Sequence, residues 1–165
     1  MFLRGKVHKF GDNVNTDYII SGKYKFKTLD MKELSRHLME DLDKEFYKKI
    51  NPGDFIVAGF NFGCGSSREQ APLVILNAQI KAVIAKSFAR IFYRNAINVG
   101  LSLVECDTDE LLEGDELEID FEKSKVRNIT KGGEMSFNPL PPIMLKILES
   151  GGLEEYLKKE GGFNF

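Results

Sequence analysis

The sequence predicts a mixed α/β domain built on a βαβ centre, and three observations predict it. Two apolar runs, Asp54–Ala58 and Lys81–Ala85, have the length and composition of buried strands. Between them Leu73, Val74, Leu76 and Ile80 form a helical apolar face, so strand, helix and strand fit a βαβ unit with a parallel pair. Farther on, Gly114–Phe121 alternates apolar and charged residues, as a strand with one wet face does. The chain of 165 residues is long enough for a real core, and a single domain over 1–165 is expected.

The other elements follow in order. Lys6–Phe10 alternates like a strand, and Gly11–Asp17 is a run of turn formers. Tyr18–Ile20 is a short apolar run, and Ser21–Thr28 reads as a polar loop. Asp30 can cap a helix over Met31–Asp41 that carries Leu34, Leu38 and Leu42 on one face. Pro52-Gly53 turns the chain into the first apolar strand, and residues 88–97 read as a second short helix before Gly100 and a strand over Leu101–Glu105. Lys125–Ile129 and Glu134–Phe137 fit further antiparallel strands. Helices are expected over Ile143–Glu149, after a Pro-Pro pair, and over Leu153–Glu160, after a Gly-Gly pair.

Composition excludes several classes. A net charge of −2 supplies no basic field for nucleic acid, and no apolar run approaches the length of a membrane-spanning helix. The first residues, Met1–Lys6, lack the apolar core of a secretory signal, so a cytoplasmic protein is expected, with Cys64 and Cys106 reduced. Two cysteines and two histidines show no zinc-ligand spacing, no lysine follows the glycines where a phosphate-binding P-loop needs it, and the G-x-S-x-G elbow of serine hydrolases is absent. A serine hydrolase with a spatially assembled triad stays open as a minor reading.

Between the first apolar strand and its helix runs Gly59-Phe60-Asn61-Phe62-Gly63-Cys64-Gly65-Ser66-Ser67-Arg68-Glu69-Gln70. Glycines permit a sharp turn and close approach of a ligand, and a helix start favours an anion. Two hydroxyls and a guanidinium there suit a carboxylate or phosphate and a proton-transfer group. Ser66 and Glu69 equally fit the S-x-x-E capping box, which needs no ligand at all. Cys64 in the same loop reads as a small buried residue. Arg68 on a first helical turn opposes the helix dipole unless an anion is present.

The stretch Asn61–Ala71 is similar to the swivel-domain signature of the aconitase superfamily. Asp12-Asn13-Val14-Asn15-Thr16-Asp17-Tyr18-Ile19 resembles that family's N-terminal loop, and Ala85–Gly100 resembles its next segment. Three motifs in order cover residues 5 to 105, and the length points to the split form, the small subunits of the isopropylmalate and homoaconitate hydro-lyases. The resemblance implies a three-layer β/β/α swivel domain with mixed parallel and antiparallel strands. It implies no cofactor in this chain, but a [4Fe–4S] cluster on a large iron–sulfur subunit, with which the chain forms a heterodimer or heterotetramer. The reaction implied is loss and re-addition of water across a substituted malate, as in leucine biosynthesis. Carried over residue by residue, Ser66 is the catalytic base as an alkoxide, Ser67 hydrogen-bonds substrate and Arg68 clamps a substrate carboxylate. Asp17 supports a catalytic histidine across the interface, although taken alone it fits an Asx-type turn.

In that family the loop Tyr24-Lys25-Phe26-Lys27-Thr28 sets substrate choice. Relatives that accept a carboxylate-bearing side chain place an arginine there, whereas Phe26 with Lys25 and Lys27 on either side favours an isopropyl group. Lys25 or Lys27 could instead reach a carboxylate, so homoaconitate and dimethylmalate stay open as substrates. A non-catalytic anion-binding module is the remaining alternative.

Overall fold

The computed structural model describes residues 1–25 and 27–163; the side chain of Lys25 also lies outside the described residues. The elements are β1 (Phe2–Lys9), α1 (Thr16–Ile19), α2 (Gly22–Lys25), α3 (Met31–Ser35), α4 (Phe46–Lys49), β2 (Phe55–Val57), α5 (Gln70–Asn77), β3 (Ala82–Ala85) and α6 (Arg90–Val99). They continue with β4 (Ser102–Glu105), β5 (Glu116–Asp120), β6 (Lys125–Asn128), β7 (Glu134–Ser136), α7 (Pro142–Ser150) and α8 (Leu153–Glu160).

The strands form one sheet in the order β4-β3-β2-β1-β5-β6-β7. β1 joins its two halves. Its C-terminal residues, Val7 to Lys9, pair in parallel with Phe55 to Val57 of β2, and its N-terminal residues, Phe2 to Lys6, pair antiparallel with β5. β2, β3 and β4 continue the parallel half through α5 and α6 as crossovers, and β5, β6 and β7 form an antiparallel meander. Parallel strands are covered on both faces, which is why Phe-Ile-Val and Ala-Val-Ile-Ala contain no polar residue.

Side-chain alternation on these strands defines three layers. Ile56, Val83, Ala85 and Leu103 pack with Leu34, Val74, Ile75 and Phe92 from the helices. The intervening residues, Phe55, Val57, Ala82, Ile84 and Val104, pack instead with Leu117, Ile119 and Val126 from the meander. The sheet therefore curls until its antiparallel half covers one face of its parallel half, with helices on the other face, in the β/β/α order expected. Ile97 of α6 packs with Ile147, Leu148 and Tyr156, which holds α7 and α8 against the helical layer.

Four local expectations change. The helix capped by Asp30, whose side chain accepts from the Lys32 amide at 2.9 Å, ends at Ser35 and not at Asp41. From His37 to Leu42 several amides bond back three residues, and Met39 takes a left-handed φ of +57° and donates its N–H to the Ile19 carbonyl at 3.0 Å. That tertiary bond turns the chain, so Leu34 and Leu38 are buried while Leu42 stays 44% exposed. β1 begins at Phe2, ahead of the alternating stretch, because β5 pairs with its first residues. Short helices α1, α2 and α4 occupy segments without a sequence pattern of their own. The capping box of Ser66 and Glu69 does not form: α5 starts at Gln70 with Glu69 as its cap and no side-chain bond.

Candidate active site

The glycine loop crosses the C-terminal ends of the parallel strands, the usual place for ligands in an open α/β sheet. It is strung between the two other motifs of the sequence. The Gly63 N–H donates to the Val14 carbonyl at 2.8 Å and the Thr16 N–H to the Cys64 carbonyl at 2.9 Å. On the other side, Phe62 and Phe88 form an isolated parallel bridge. Thr16 Oγ1 donates to the Ser66 carbonyl at 2.8 Å. These bonds pin the Cys64 to Ser66 backbone to α1, which is the physical reason it does not wind into α5 as a capping box would require.

Gly63 and Gly65 are glycines of necessity in different degrees. Gly63 has φ of +81°, and a Cβ there would stand 2.2 Å from Cγ of Phe92, whereas Gly65 has φ of +89° with its nearest contact at 3.4 Å. Gly63→Ala should lower unfolding free energy by about 3 kcal/mol or more, combining left-handed strain with overpacking. Gly65→Ala should cost only about 1–2 kcal/mol, the backbone share alone. Urea midpoints of the two variants check the difference, and equal shifts would refute the Phe92 contact as its cause.

Ser66, Ser67 and Arg68 line a cavity of about 320 Å³. Thr16 and a wall of α6 residues, Arg90, Ile91 and Asn95, line it as well. Ser66 and Ser67 are exposed. α6 has no side-chain cap at Ala89, so its first amides and the positive end of its dipole open toward the cavity. Thr16 and the α6 wall were not singled out from the sequence. The signal available was the i, i+4 spacing of Ile91 and Asn95, one helical turn apart.

Arg68 is held to the N-terminal motif. Its Nη2 lies 2.5 Å from Asp17 Oδ1, its Nη1 donates to the Ile20 carbonyl at 3.3 Å, and its Nε is buried with no partner among the described residues. The Arg68 side chain is 14% exposed and the Asp17 side chain 60%. The structure thus brings Asp17, Ser66, Ser67 and Arg68 to one place, with the guanidinium turned to Asp17 and Ile20. α2 begins beside it: a Cβ added at Gly22 would stand 4.0 Å from Arg68 Nη1. Phe26 and the side chain of Lys25 lie outside the described residues. The Lys27 ammonium sits 5.7 Å from the centre of the Tyr24 ring.

The remaining reactive groups lie elsewhere. His8 bonds to Asp54 at 2.7 Å and His37 to Glu40 at 2.5 Å, and neither histidine lines the serine cavity. Burial, with Asp107 adding to it, pushes the Cys106 thiol up to about 12, so it is no nucleophile at neutral pH. Both cysteines are free, and among the described residues no three His, Cys, Asp or Glu side chains converge to hold a metal. A larger apolar cavity of about 620 Å³ between α6 and α7 shares Arg90 with the first but includes neither serine. No helix among the described residues is long and apolar enough to cross a membrane.

Comparison with known proteins bears on the family and the fold. A model of the family "Aconitase C-terminal domain" matches residues 7–108, which contain all three motifs. The 3-isopropylmalate dehydratase small subunit 2 of Archaeoglobus fulgidus is 57% identical over 161 residues, covering 98% of each chain. The 3-isopropylmalate dehydratase small subunit 1 of Thermotoga maritima is 51% identical, again over 98% of each chain. The crystal structure of 3-isopropylmalate dehydratase from Methanocaldococcus jannaschii superposes with a TM-score of 0.93 at 52% identity, covering 98% of this chain and 96% of that one.

Proposed function

The chain belongs to the aconitase C-terminal domain family, and on that premise we propose that it is the small subunit of a hydro-lyase. This enzyme interconverts 2-isopropylmalate and 3-isopropylmalate by dehydration and rehydration, in leucine biosynthesis. The main support is the grouping of Ser66, Ser67 and Arg68 on one open cavity, in a chain whose near-full-length relatives are named as small subunits of that enzyme. The partner is a large iron–sulfur subunit, in a heterodimer or heterotetramer. Its cluster would supply the Lewis acid for the departing hydroxyl. We read residues 1–165 as one domain working in the cytoplasm, in keeping with two free cysteines.

The residues of this chain divide the remaining work. Ser66 Oγ, as the alkoxide, takes the proton from the carbon next to a carboxylate while hydroxide leaves the neighbouring carbon. Return of the proton and of hydroxide, each to the carbon the other left, completes the isomerisation. An alkoxide on an exposed side chain is costly in water, so the half-open cavity must be closed by the partner for Ser66 to act. Arg68, Arg90 and the uncapped start of α6, which line the same cavity, are the sources of positive potential for it. Ser67 donates to substrate, and Arg68 receives a carboxylate through its planar fork. Asp17, exposed on the rim, meets the partner's catalytic histidine. Phe26, with Lys25 and Lys27 beside it, favours an isopropyl group over a second carboxylate.

Anaerobic reconstitution with the iron–sulfur subunit from the same source tests this, following the ultraviolet absorbance of the unsaturated acid with 3-isopropylmalate and homoisocitrate in parallel. Turnover of isopropylmalate is expected only with both chains present. Turnover of homoisocitrate alone would keep the subunit assignment and overturn the role of Phe26. In the same assay Phe26→Arg should lower kcat/KM for isopropylmalate by about tenfold or more and raise that for the tricarboxylate, because an unpaired guanidinium meets an apolar group. Unchanged selectivity would remove the loop from the account.

A further inference from the structure

We propose that Glu40, acting through Tyr24 and His37, is a positioning residue that fixes α2 beside Arg68 and thereby tunes substrate selectivity. The inference rests on the functional reading above. α2 is a single turn of four residues, too short to persist on its own bonds, so whatever fixes it must be tertiary. The Tyr24 ring lies flat on the His37 imidazole, with centroids 3.7 Å apart and planes 10° from parallel. One carboxylate ties both rings: Tyr24 Oη donates to Glu40 Oε1 at 2.8 Å, and His37 Nδ1 lies 2.5 Å from Glu40 Oε2. The Lys23 ammonium stands 4.9 Å from the centre of the Tyr24 ring and that of Lys27 5.7 Å.

Both ends of this arrangement are anchored. Glu40 follows Met39, which is fully buried and bonded through its amide to the Ile19 carbonyl at 3.0 Å. Burial opposes charge on Glu40, but the bonds from His37 and Tyr24 outweigh it and hold its carboxyl below the usual range, so the anchor is an anion. At the other end Arg68 Nη1 donates to the Ile20 carbonyl and faces Gly22. The segment from Ile20 to Tyr24 therefore runs between the guanidinium proposed to hold a substrate carboxylate and the Glu40 carboxylate, which does not line the serine cavity. A shift of α2 at its Tyr24 end changes what stands next to the bound substrate, without altering the serines or Arg68.

Two measurements on the same variants decide it. Hydrogen exchange of the isolated chain reads the clamp, and the ratio of kcat/KM for 3-isopropylmalate over homoisocitrate in the reconstituted enzyme reads selectivity. Glu40→Ala should speed exchange over residues 20–25 about tenfold, leave β3 and α5 unchanged, and lower the ratio about tenfold, mainly through KM. Tyr24→Phe keeps the stacked ring and loses the hydroxyl, so it should give a smaller effect of the same sign, and Glu40→Gln should partly restore both readouts. Unchanged exchange in Glu40→Ala would show that no clamp exists. Faster exchange with an unchanged ratio would make the cluster structural only and overturn the proposal. If the unsubstituted enzyme turned over neither substrate, the functional reading and the selectivity role would fall together, while exchange would still decide the clamp.

Discussion

Ser66→Ala in the reconstituted enzyme should lower kcat by about a thousandfold, within the range for removing a general base, and leave KM within about twofold. The two parameters separate because the binding energy for the carboxylate comes from Arg68 and Ser67, whereas the Ser66 oxygen matters only as the proton moves. The same substitution should leave the urea midpoint of the chain unchanged. Ser66 is exposed and α5 begins four residues later with Glu69 as its cap, so no helix depends on its hydroxyl. Had Ser66 been the cap, alanine would have cost about 1 kcal/mol. A loss of stability with activity retained would therefore return Ser66 to a structural role. A raised KM with kcat intact would favour a non-catalytic anion-binding module.

That test is clean because the capping box, which the sequence left in balance with a functional reading, does not form in the structure. Ser66 and Glu69 have the spacing of a capping box, and nothing local shows that Thr16 Oγ1 holds the Ser66 carbonyl from a position 50 residues away. The same limit explains the other departures. Asp54–Ala58 and Lys81–Ala85 were legible as strands because burial on both faces writes itself into consecutive apolar residues. Met31–Asp41 kept a helical spacing of leucines, but the helix ends at Ser35 and the Met39 amide bonds to Ile19 beyond it, a tertiary contact the local pattern does not carry. α1 and α2 are single turns whose partners, Arg68 among them, lie far along the chain. The site showed the same division. The serines and Arg68 were legible as a group because they are contiguous, while the Asp17–Arg68 pair and the α6 wall had to be assembled by the fold.

Arg68→Lys carries the second large expectation, a loss of about 30- to 150-fold in kcat/KM, corresponding to about 2–3 kcal/mol for bonds to a charged group. Lysine keeps the charge but offers one ammonium where the guanidinium spreads donors along a planar edge. In the free chain that edge is only half used: Nη2 meets Asp17 at 2.5 Å, and Nε is buried without a partner among the described residues. A buried donor left unpaired is a standing cost, and a substrate carboxylate spanning Nε and Nη2 would remove it. Asp17 need not block that. Its side chain is 60% exposed, and an ion pair screened by water to that degree is worth at most about 1 kcal/mol, less than a bidentate bond to substrate. Asp17→Asn should accordingly leave the urea midpoint almost unchanged, while the proposed contact with the partner's histidine predicts a fall in kcat of about tenfold or more. Calorimetric titration of the reconstituted Ser66→Ala enzyme with 3-isopropylmalate, whose turnover there is about a thousandfold slower, isolates the arginine's share. Adding Arg68→Lys should weaken binding by most of the loss seen in kcat/KM, and unchanged affinity would place the substrate carboxylate somewhere other than on Arg68.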